Sequence, residues 1–317
     1  MLRPVARFAW GVLLADVGVI LWGAYVRATG SGAGCGRHWP TCNGVIVPRA
    51  PRLDTLIELS HRASSGLALA LTLVLFLWAR KVFPAGHRVR RAAAVATALI
   101  GVEALIGAGL VLLELVAHDA SLRRAVSMSV HLVNTFFLLA STALAAHWAS
   151  GGGPIHLRGS RHVLLALGLP IASMLAVGAS GAVTALGDTL FPAPSLSIGI
   201  AQDFAPGANA FVRLRVVHPM IACVTALGVV VASGFVRAVK PTSAVRRFSH
   251  AASGLAMAQV AAGLLDIVTG APVSVQLVHL GLADAVWIAL VLLAAAALED
   301  AQEFVSAPRA DAFATLG

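Results

Sequence analysis

The stretch IELSHRASSGLALALTLVLFLWA, residues 57–79, decides the fold of this chain. Its polar beginning carries Glu58, His61 and Arg62, and a long run of apolar and small residues follows. Residues three and four apart share one face of a helix, so these three ionisable side chains point the same way. Ionisable groups are costly in lipid unless they face the interior of a bundle or hold a ligand. The stretch therefore predicts a membrane helix with a functional group at its mouth.

The composition of the whole chain agrees with this prediction. Of the 317 residues, 58% are hydrophobic and only 12% are charged, and the mean hydropathy is +0.86. A spanning helix needs about 20 mainly apolar residues. We find eight such runs, near residues 8–27, 58–79, 92–116, 127–148, 163–186, 216–236, 249–269 and 276–298. We predict an all-α polytopic membrane protein with eight transmembrane helices.

The net charge of +9 is explained by the loops. Lys and Arg concentrate at the N-terminus, in the loops after the second, fourth and sixth runs, and in the C-terminal tail, whereas a nucleic-acid-binding chain would interleave basic and aromatic residues. We therefore expect no nucleic-acid partner. We expect a multi-pass plasma-membrane protein with both termini cytoplasmic and the loop of Cys35 and Cys42 external. The first run exceeds the apolar core of a signal peptide, so we expect a retained helix.

The chain also repeats itself. Apolar similarity would be expected between any two membrane stretches, but here histidines coincide in corresponding runs. The aligned pairs are Val26 with Val183, His61 with His218, Glu103 with Gln259, Gly107 with Gly263, and His131 with His279. Four helices per repeat give the two halves the same orientation. We predict two parallel-repeat four-helix bundles, residues 1–150 and 151–317, the second ending in a short cytoplasmic tail.

Each half contributes two histidines near the external ends of its even-numbered runs. A lone histidine on an apolar face is more often a structural residue than a ligand, but four at equivalent positions favour ligation. Two imidazoles facing each other across a bundle core are typical of a bound haem iron. The candidate iron ligands are His61, His131, His218 and His279. They indicate either two haem cofactors or one haem cofactor and one haem substrate.

The two halves differ beside their first histidine. Glu58 and Arg62 flank His61, whereas Arg215 and Pro219 stand at the equivalent places around His218. A buried carboxylate beside a metal-bound group can move protons or stabilise a developing cation, while a site with two imidazoles alone mainly carries electrons. We expect the first half to perform chemistry and the second to assist it. A Glu58–Arg62 ion pair is an alternative reading, and it is compatible with the first.

The first external loop contains GSGAGCGRHWPTCNG, residues 30–44, in which six residues separate Cys35 from Cys42. This spacing permits a disulfide, which persists in an oxidising compartment. The sequence favours a structural clamp over a redox-active pair without separating the two. Cys223, within the sixth run, is interpreted as a small core residue.

Taken together, these motifs resemble the haem A synthase family over nearly the whole chain. The resemblance rests on GAYVRATGSGAGCGRHWPTCNG, on ELSHR, and on one histidine in each even-numbered run. It implies oxidation of a ring methyl of haem O to a formyl group, giving haem A, with O2 and external electrons. It implies that His61, His131 and Arg62 hold the substrate haem, that Glu58 is catalytic, and that His218 and His279 ligate haem b. It also implies a haem O synthase and an electron donor as partners, in addition to membrane lipid.

Three features depart from the family pattern. The third external loop lacks the second cysteine pair that some relatives have there. Pro219 stands where an Arg often follows the histidine, and we expect it to kink its helix. Glu103 stands where an amide like Gln259 would be expected.

Two other function classes stay open at this point. A di-haem electron-transfer cytochrome would also carry paired histidines but would have no need of Glu58 or the cysteine loop. A haem or small-molecule transporter would carry repeats and charges within the membrane; the candidates for such charges are Asp16, Glu114, Asp266 and Asp284.

Overall fold

The computed structural model describes residues 2–157 and 161–299 of the chain, so the predicted tail from residue 300 onwards lies outside the described residues. Within these ranges the secondary structure is helical apart from isolated bridges. A 3₁₀ turn spans Ser31–Ala33. The α-helices are α1 Leu2–Ala28, α2 Leu53–Val82, α3 Arg88–Leu112, α4 Leu122–Ala149, α5 Arg161–Leu190, α6 Leu196–Asp203, α7 Ala210–Val239, α8 Ser243–Thr269 and α9 Val273–Ala297.

Eight of these described helices are long and apolar enough to cross a membrane, which confirms the predicted all-α polytopic class. The short helix α6, between α5 and α7, was not predicted. The two prolines within spans do not end their helices, because α5 continues through Pro170 and α7 continues through Pro219. The kink expected at Pro219 stays a prediction, since the structure shows only that α7 is continuous there.

Local sequence signals explain where the helices begin. The side chains of Ser121, Asn209 and Thr242 precede α4, α7 and α8, and each accepts a hydrogen bond from a backbone N–H of the first turn. These caps satisfy donors that have no partner within the helix. At the other end of α8, Gly270 takes a left-handed φ of 77°, the usual conformation for ending a helix.

Contacts between helices follow the same order in the two halves. In the first, α1 contacts α2, α2 contacts α3, α3 contacts α4, and α4 returns to α1; in the second, α5, α7, α8 and α9 contact one another in the same cyclic order. The halves meet through α1 and α4 on one side and α5 and α9 on the other. This pattern is compatible with the two predicted four-helix bundles.

The centre of the contact between the halves is an aromatic pair. The rings of Phe136 and Trp287 stack with centroids 4.9 Å apart, and Trp287 Nε1 donates a hydrogen bond of 2.6 Å to the Phe136 carbonyl. Gly178 allows this packing, since a Cβ there would lie 2.8 Å from the Phe136 ring. Both aromatic residues are buried. They therefore add buried apolar area to the contact between the halves, while the indole N–H of Trp287 keeps a hydrogen-bond partner.

We call the end of the molecule that carries the loops of residues 29–52, 113–121, 191–209 and 270–272 the disulfide side. A second connection between the halves lies near these loops. Arg27, at the end of α1, donates hydrogen bonds to the Ala185 carbonyl at 2.6 Å and to Thr189 Oγ1 at 2.7 Å, both on α5. It also donates to Gln276 Oε1 on α9 at 2.8 Å. One guanidinium of the first half thus joins two helices of the second.

Candidate functional site

The four predicted histidines lie on α2, α4, α7 and α9, within the first three turns from the disulfide side. All four side chains are partly buried. His61 and His131 lie close enough for their charges to interact, and so do His218 and His279. The structure therefore brings together the two histidines of each half, as the repeat pattern predicted.

Glycines on neighbouring helices leave room for three of these imidazoles. A Cβ at Gly23 would lie 2.8 Å from the His61 ring, one at Gly181 would lie 3.0 Å from the His218 ring, and one at Gly263 would lie 2.9 Å from the His279 ring. Any larger residue would push these rings out of place. Gly107 is aligned with Gly263 in the repeat, yet a Cβ at Gly107 would meet nothing within 4 Å.

The ring nitrogens test whether these sites suit a haem iron. Nδ1 of His61 and Nδ1 of His279 are buried without a hydrogen-bond partner among the described residues. A buried polar atom without a partner is unfavourable, and an iron ligand is one way to remove that cost. Glycine-backed imidazoles with free nitrogens among apolar helices fit an axially ligated haem. The residues present therefore fit the group that the sequence implied.

His131 has a different neighbour. Its Nδ1 is in direct contact with the carboxylate of Glu103 on α3. Thr135, one turn further along α4, donates a hydrogen bond of 2.8 Å to Glu103 Oε1. Glu103, for which the sequence analysis had no role, thus contacts one of the candidate ligands.

In the second half the ring contacts are neutral. Gln259 Nε2 lies 3.2 Å from His279 Nε2, and Ser180 Oγ lies 3.0 Å from His218 Nδ1. Both partners are uncharged, in contrast to Glu103.

Glu58 connects α2 to the first loop of the disulfide side. Its carboxylate is 4% exposed and is paired with Arg62, which confirms the predicted ion pair. Glu58 Oε2 accepts a hydrogen bond of 2.8 Å from the backbone N–H of Cys35. Arg62 also donates to the carbonyls of His38 and Thr41, each at 2.6 Å. The two ionisable residues beside His61 therefore hold the loop over the first pair of histidines.

The loop itself is closed by a disulfide between Cys35 and Cys42, with an S–S distance of 1.98 Å. Both cysteines are fully buried. Gly34 sits directly against α2, because a Cβ there would lie 2.5 Å from the backbone of Asp54. Thr55 Oγ1 donates a hydrogen bond of 2.8 Å to the Gly34 carbonyl. The clamp interpretation of the cysteine pair agrees with this packing.

Arg215 plays the equivalent part in the second half, where it occupies the position of Glu58. It pairs with Asp188 at 2.9 Å and with Asp203 at 3.6 Å. It also donates to the carbonyls of Gly187 and Phe191, at 2.8 and 2.5 Å. Partial burial raises the pKa of the Asp203 carboxyl, and Arg215 offsets part of this rise. In each half, the residue three positions before the first histidine fastens a loop of the disulfide side.

Three of the charged residues considered for a transporter have different surroundings. Asp16 and Asp284 are buried within α1 and α9, and Thr142 Oγ1 lies 3.4 Å from Asp16 Oδ2. Glu114 is not within a span: α3 ends at Leu112, and Glu114 forms an exposed ion pair with Arg37 at 3.3 Å. The extension of the third run to residue 116 was therefore wrong.

Cys223 was also interpreted wrongly. Its side chain is exposed on α7 instead of packing in the core. A surface that faces lipid selects the same apolar residues as a core, so composition could not separate the two environments.

Comparison with known proteins places these features in context. Residues 6–291 match the family model described as cytochrome oxidase assembly protein. The heme A synthase of Geobacillus kaustophilus is 40% identical over 111 residues, 35% of each chain. The heme A synthase of an Exiguobacterium species is 34% identical over 191 residues, 60% of each chain.

A longer relative carries a different name. A protein of Thermus thermophilus named protoheme IX farnesyltransferase is 52% identical over 295 residues, which is 93% of this chain but 48% of that protein. The chain thus spans about half the length of this relative.

Proposed function

The chain belongs to the haem A synthase family of cytochrome oxidase assembly proteins, and from that premise we propose that it oxidises a ring methyl of haem O to a formyl group. The product is haem A, a cofactor of terminal oxidases. The oxidant is O2, and the electrons come from an external donor. The single observation that carries the proposal is that each half brings two histidines together. Three of the four rings lie against a glycine, and the ring of His131 lies against the carboxylate of Glu103.

In the first half, His61 and His131 hold the substrate haem. Glycine at position 23 leaves space for the His61 ring, and the carboxylate of Glu103 fixes the ring of His131. Arg62 braces the loop that lies beside this pair. The pair that Arg62 forms with Glu58 is neutral overall, so the role of Arg62 toward the haem is to hold this loop in place.

Glu58 is the catalytic carboxylate of the proposal, acting by proton transfer or by stabilising an intermediate at the methyl. Oxidation of a methyl carbon requires protons to be delivered and removed near the reacting group, and a carboxylate at the mouth of the site is suited to this task. Its hydrogen bond from Cys35 and its pairing with Arg62 hold the carboxylate in one orientation. A fixed orientation favours proton transfer to one position of the substrate.

In the second half, His218 and His279 would hold haem b through its iron. That cofactor supplies electron transfer when bound. Gly181 and Gly263 give the two rings their space, while Ser180 and Gln259 orient them through neutral contacts. This half carries no counterpart of Glu58, because Arg215 stands in its place and is engaged with Asp188.

The domain division and the placement in the membrane form part of the same proposal. Residues 1–150 hold the substrate and residues 151–317 hold haem b. The protein lies in the plasma membrane with both termini cytoplasmic, so the disulfide side faces outward, where Cys35 and Cys42 stay oxidised.

The relative of Thermus thermophilus suggests a second candidate, transfer of a farnesyl group to protohaem. The observation in its favour is the 52% identity over 93% of this chain. The name refers to the whole of that protein, of which the match covers 48%. A partner that makes haem O would supply the substrate of the reaction we propose, and we infer that such a synthase hands haem O to this chain.

Extraction of haems after expression separates these functions. The full chain is expressed with a haem O source, purified, and its haems are analysed by chromatography with mass detection. Haem A beside haem b supports the proposal. Haem O formed from protohaem and farnesyl diphosphate, with no haem O source present, would support the transferase. Haem b alone, with supplied haem O unchanged, would indicate a di-haem electron-transfer cytochrome.

A further inference from the structure

The histidine-bearing sites of the two halves differ in one buried neighbour. In the first half the neighbour is the carboxylate of Glu103, which contacts Nδ1 of His131. In the second half it is the amide of Gln259, the aligned residue, which contacts Nε2 of His279. We propose that Glu103 is a positioning residue that makes His131 a stronger electron donor to the substrate haem iron than an amide neighbour would. This inference rests on the proposed function, because it presumes a haem at His131.

The contact joins one carboxylate oxygen to one ring nitrogen. Glu103 lies on α3 with its side chain 11% exposed, and its Oε2 is in direct contact with His131 Nδ1 on α4. The contact is an ion-pair contact without hydrogen-bond geometry. Because a carboxylate oxygen can only accept, the proton of the neutral imidazole is assigned to Nδ1. This tautomer leaves Nε2 of His131 with a free lone pair, the form required for a metal ligand.

A second interaction holds the carboxylate in this orientation. Thr135 lies one turn beyond His131 on the same face of α4, and its hydroxyl donates a hydrogen bond of 2.8 Å to Glu103 Oε1. The two oxygens of Glu103 are thus divided between the imidazole and the hydroxyl. Asn134 adds a further link between the same helices, donating at 3.0 Å to the Leu99 carbonyl.

The repeat shows that this arrangement is specific to the first half. Gln259 replaces Glu103, and Ala283 occupies the position that corresponds to Thr135. Gln259 Nε2 lies 3.2 Å from His279 Nε2, a contact between neutral groups. The second half therefore lacks both the carboxylate and the hydroxyl that orients it.

The chemical consequence follows from the hydrogen bond to the distal nitrogen. A carboxylate that accepts from a ligating histidine fixes the orientation of its ring and increases the basicity of the coordinating nitrogen. A stronger donor would stabilise the more oxidised iron and so lower its reduction potential. The electron-rich ligand thus lies in the half that contains Glu58.

The test exchanges the two neighbours and measures reduction potentials. The variants are Glu103→Gln, Glu103→Asp and Gln259→Glu in the full chain, with haem content measured by extraction and midpoint potentials by spectroelectrochemical titration. To assign the potentials, the first-half potential is also measured in a His279→Ala background and the second-half potential in a His61→Ala background. Each background lacks one histidine of the other half.

We expect Glu103→Gln to keep its haem and to shift the potential of the first-half haem upward, with the second unchanged. We expect Glu103→Asp to restore part of the shift and Gln259→Glu to move the potential of the second-half haem downward. Thr135→Val, which removes only the orienting hydroxyl, should give a smaller upward shift than Glu103→Gln.

Unchanged potentials in haem-loaded Glu103→Gln and Gln259→Glu would overturn the inference and leave the proposed function intact. If Glu103→Gln loses its haem, the downward shift in Gln259→Glu decides the matter, and its absence overturns the inference. Failure of the unaltered protein to bind any haem would overturn both this inference and the proposed function.

Discussion

The backbone N–H of Cys35 donates a hydrogen bond of 2.8 Å to Oε2 of Glu58, across 23 positions of the chain. The proposed catalytic carboxylate and the disulfide-closed loop are therefore one structural unit. Arg62 completes it by pairing with Glu58 and by donating to the carbonyls of His38 and Thr41. A change in the loop should therefore alter the position of the Glu58 carboxylate, and a change at Glu58 should loosen the loop. The first two predictions use this coupling.

Replacement of Glu58 should stop turnover without loss of haem. Glu58→Gln keeps an oxygen that can accept from Cys35 but removes the carboxylate, so haem should remain bound while the yield of haem A falls by about 10²-fold or more. Glu58→Ala should do the same and should loosen the loop as well. Chromatography of extracted haems measures the yield, and Glu114→Gln, at an exposed loop carboxylate, is the matched control. An unchanged yield of haem A in Glu58→Gln would remove Glu58 from the catalytic role.

The disulfide should protect both of its cysteines from labelling. In a Cys223→Ser background, intact cells treated with a membrane-impermeant maleimide should leave Cys35 and Cys42 unlabelled until a reductant is added. After reduction, mass spectrometry should detect two labels. Both cysteines are buried, so labelling should require reduction of the disulfide. Because Arg62 ties this loop to the proposed site, the reductant concentration that permits labelling should also lower the yield of haem A. Labelling without reductant would argue against the bond.

Removal of either proposed ligand of haem b should abolish one spectrum selectively. His218→Ala and His279→Ala should each eliminate the low-spin haem b signal in a reduced-minus-oxidised difference spectrum. Haem O should still bind, as measured by titration, because His61 and His131 lie in the other half. His162→Ala, at an exposed histidine at the beginning of α5, serves as the control. Retention of the haem b signal in both ligand variants would refute the assignment of the second half.

The glycines behind the imidazoles should tolerate no side chain. Gly181→Ala and Gly263→Ala would place a Cβ 3.0 and 2.9 Å from the rings of His218 and His279. The rings must shift, so we expect loss of haem b or a change of its spin state, measured by absorbance and electron paramagnetic resonance. Gly107→Ala is the matched control, since a Cβ there meets nothing within 4 Å. Equal spectra in all three variants would show that the rings have room to move.

The aromatic contact between the halves should contribute measurable stability. Trp287→Phe keeps most of the stacking on Phe136 but removes the hydrogen bond to its carbonyl, at a cost of about 1 kcal/mol. The midpoint of thermal unfolding in detergent should fall. Trp22→Phe removes an exposed hydrogen bond of 3.0 Å to Ser60, and a smaller change is expected there. A larger effect at Trp22 than at Trp287 would contradict this ranking.

The sequence predicted the features that depend on one segment at a time. Runs of apolar residues predicted the eight spans, and coincident histidines predicted which helices face one another within each half. The helix α6 was missed because its eight residues, in a loop containing Pro and Gly, are too few for a periodic signal. Glu114 was assigned to a span because an apolar run does not show where a helix ends, and here the left-handed φ of 58° at Glu114 follows the end of α3.

Contacts between segments were harder to predict. The meeting of Glu103 with His131 depends on how α3 and α4 are rotated about their axes, which packing decides and which no single run encodes. The same holds for the hydrogen bond from Cys35 to Glu58, since a backbone donor leaves no mark on the sequence. The ion pair of Glu58 with Arg62 could be predicted because both residues lie on one helix.

The asymmetry at Arg27 bears on how a doubled chain of this kind diverges. Two identical ancestral copies would have met through a two-fold interface, in which any substitution appears on both sides at once. Once the copies are joined in a single polypeptide, each can change alone. Arg27 now reaches Thr189 and Gln276 of the other half, whereas its repeat counterpart, Thr184, donates to the Leu214 carbonyl within its own half. At this position the contacts between the halves are therefore not related by two-fold symmetry.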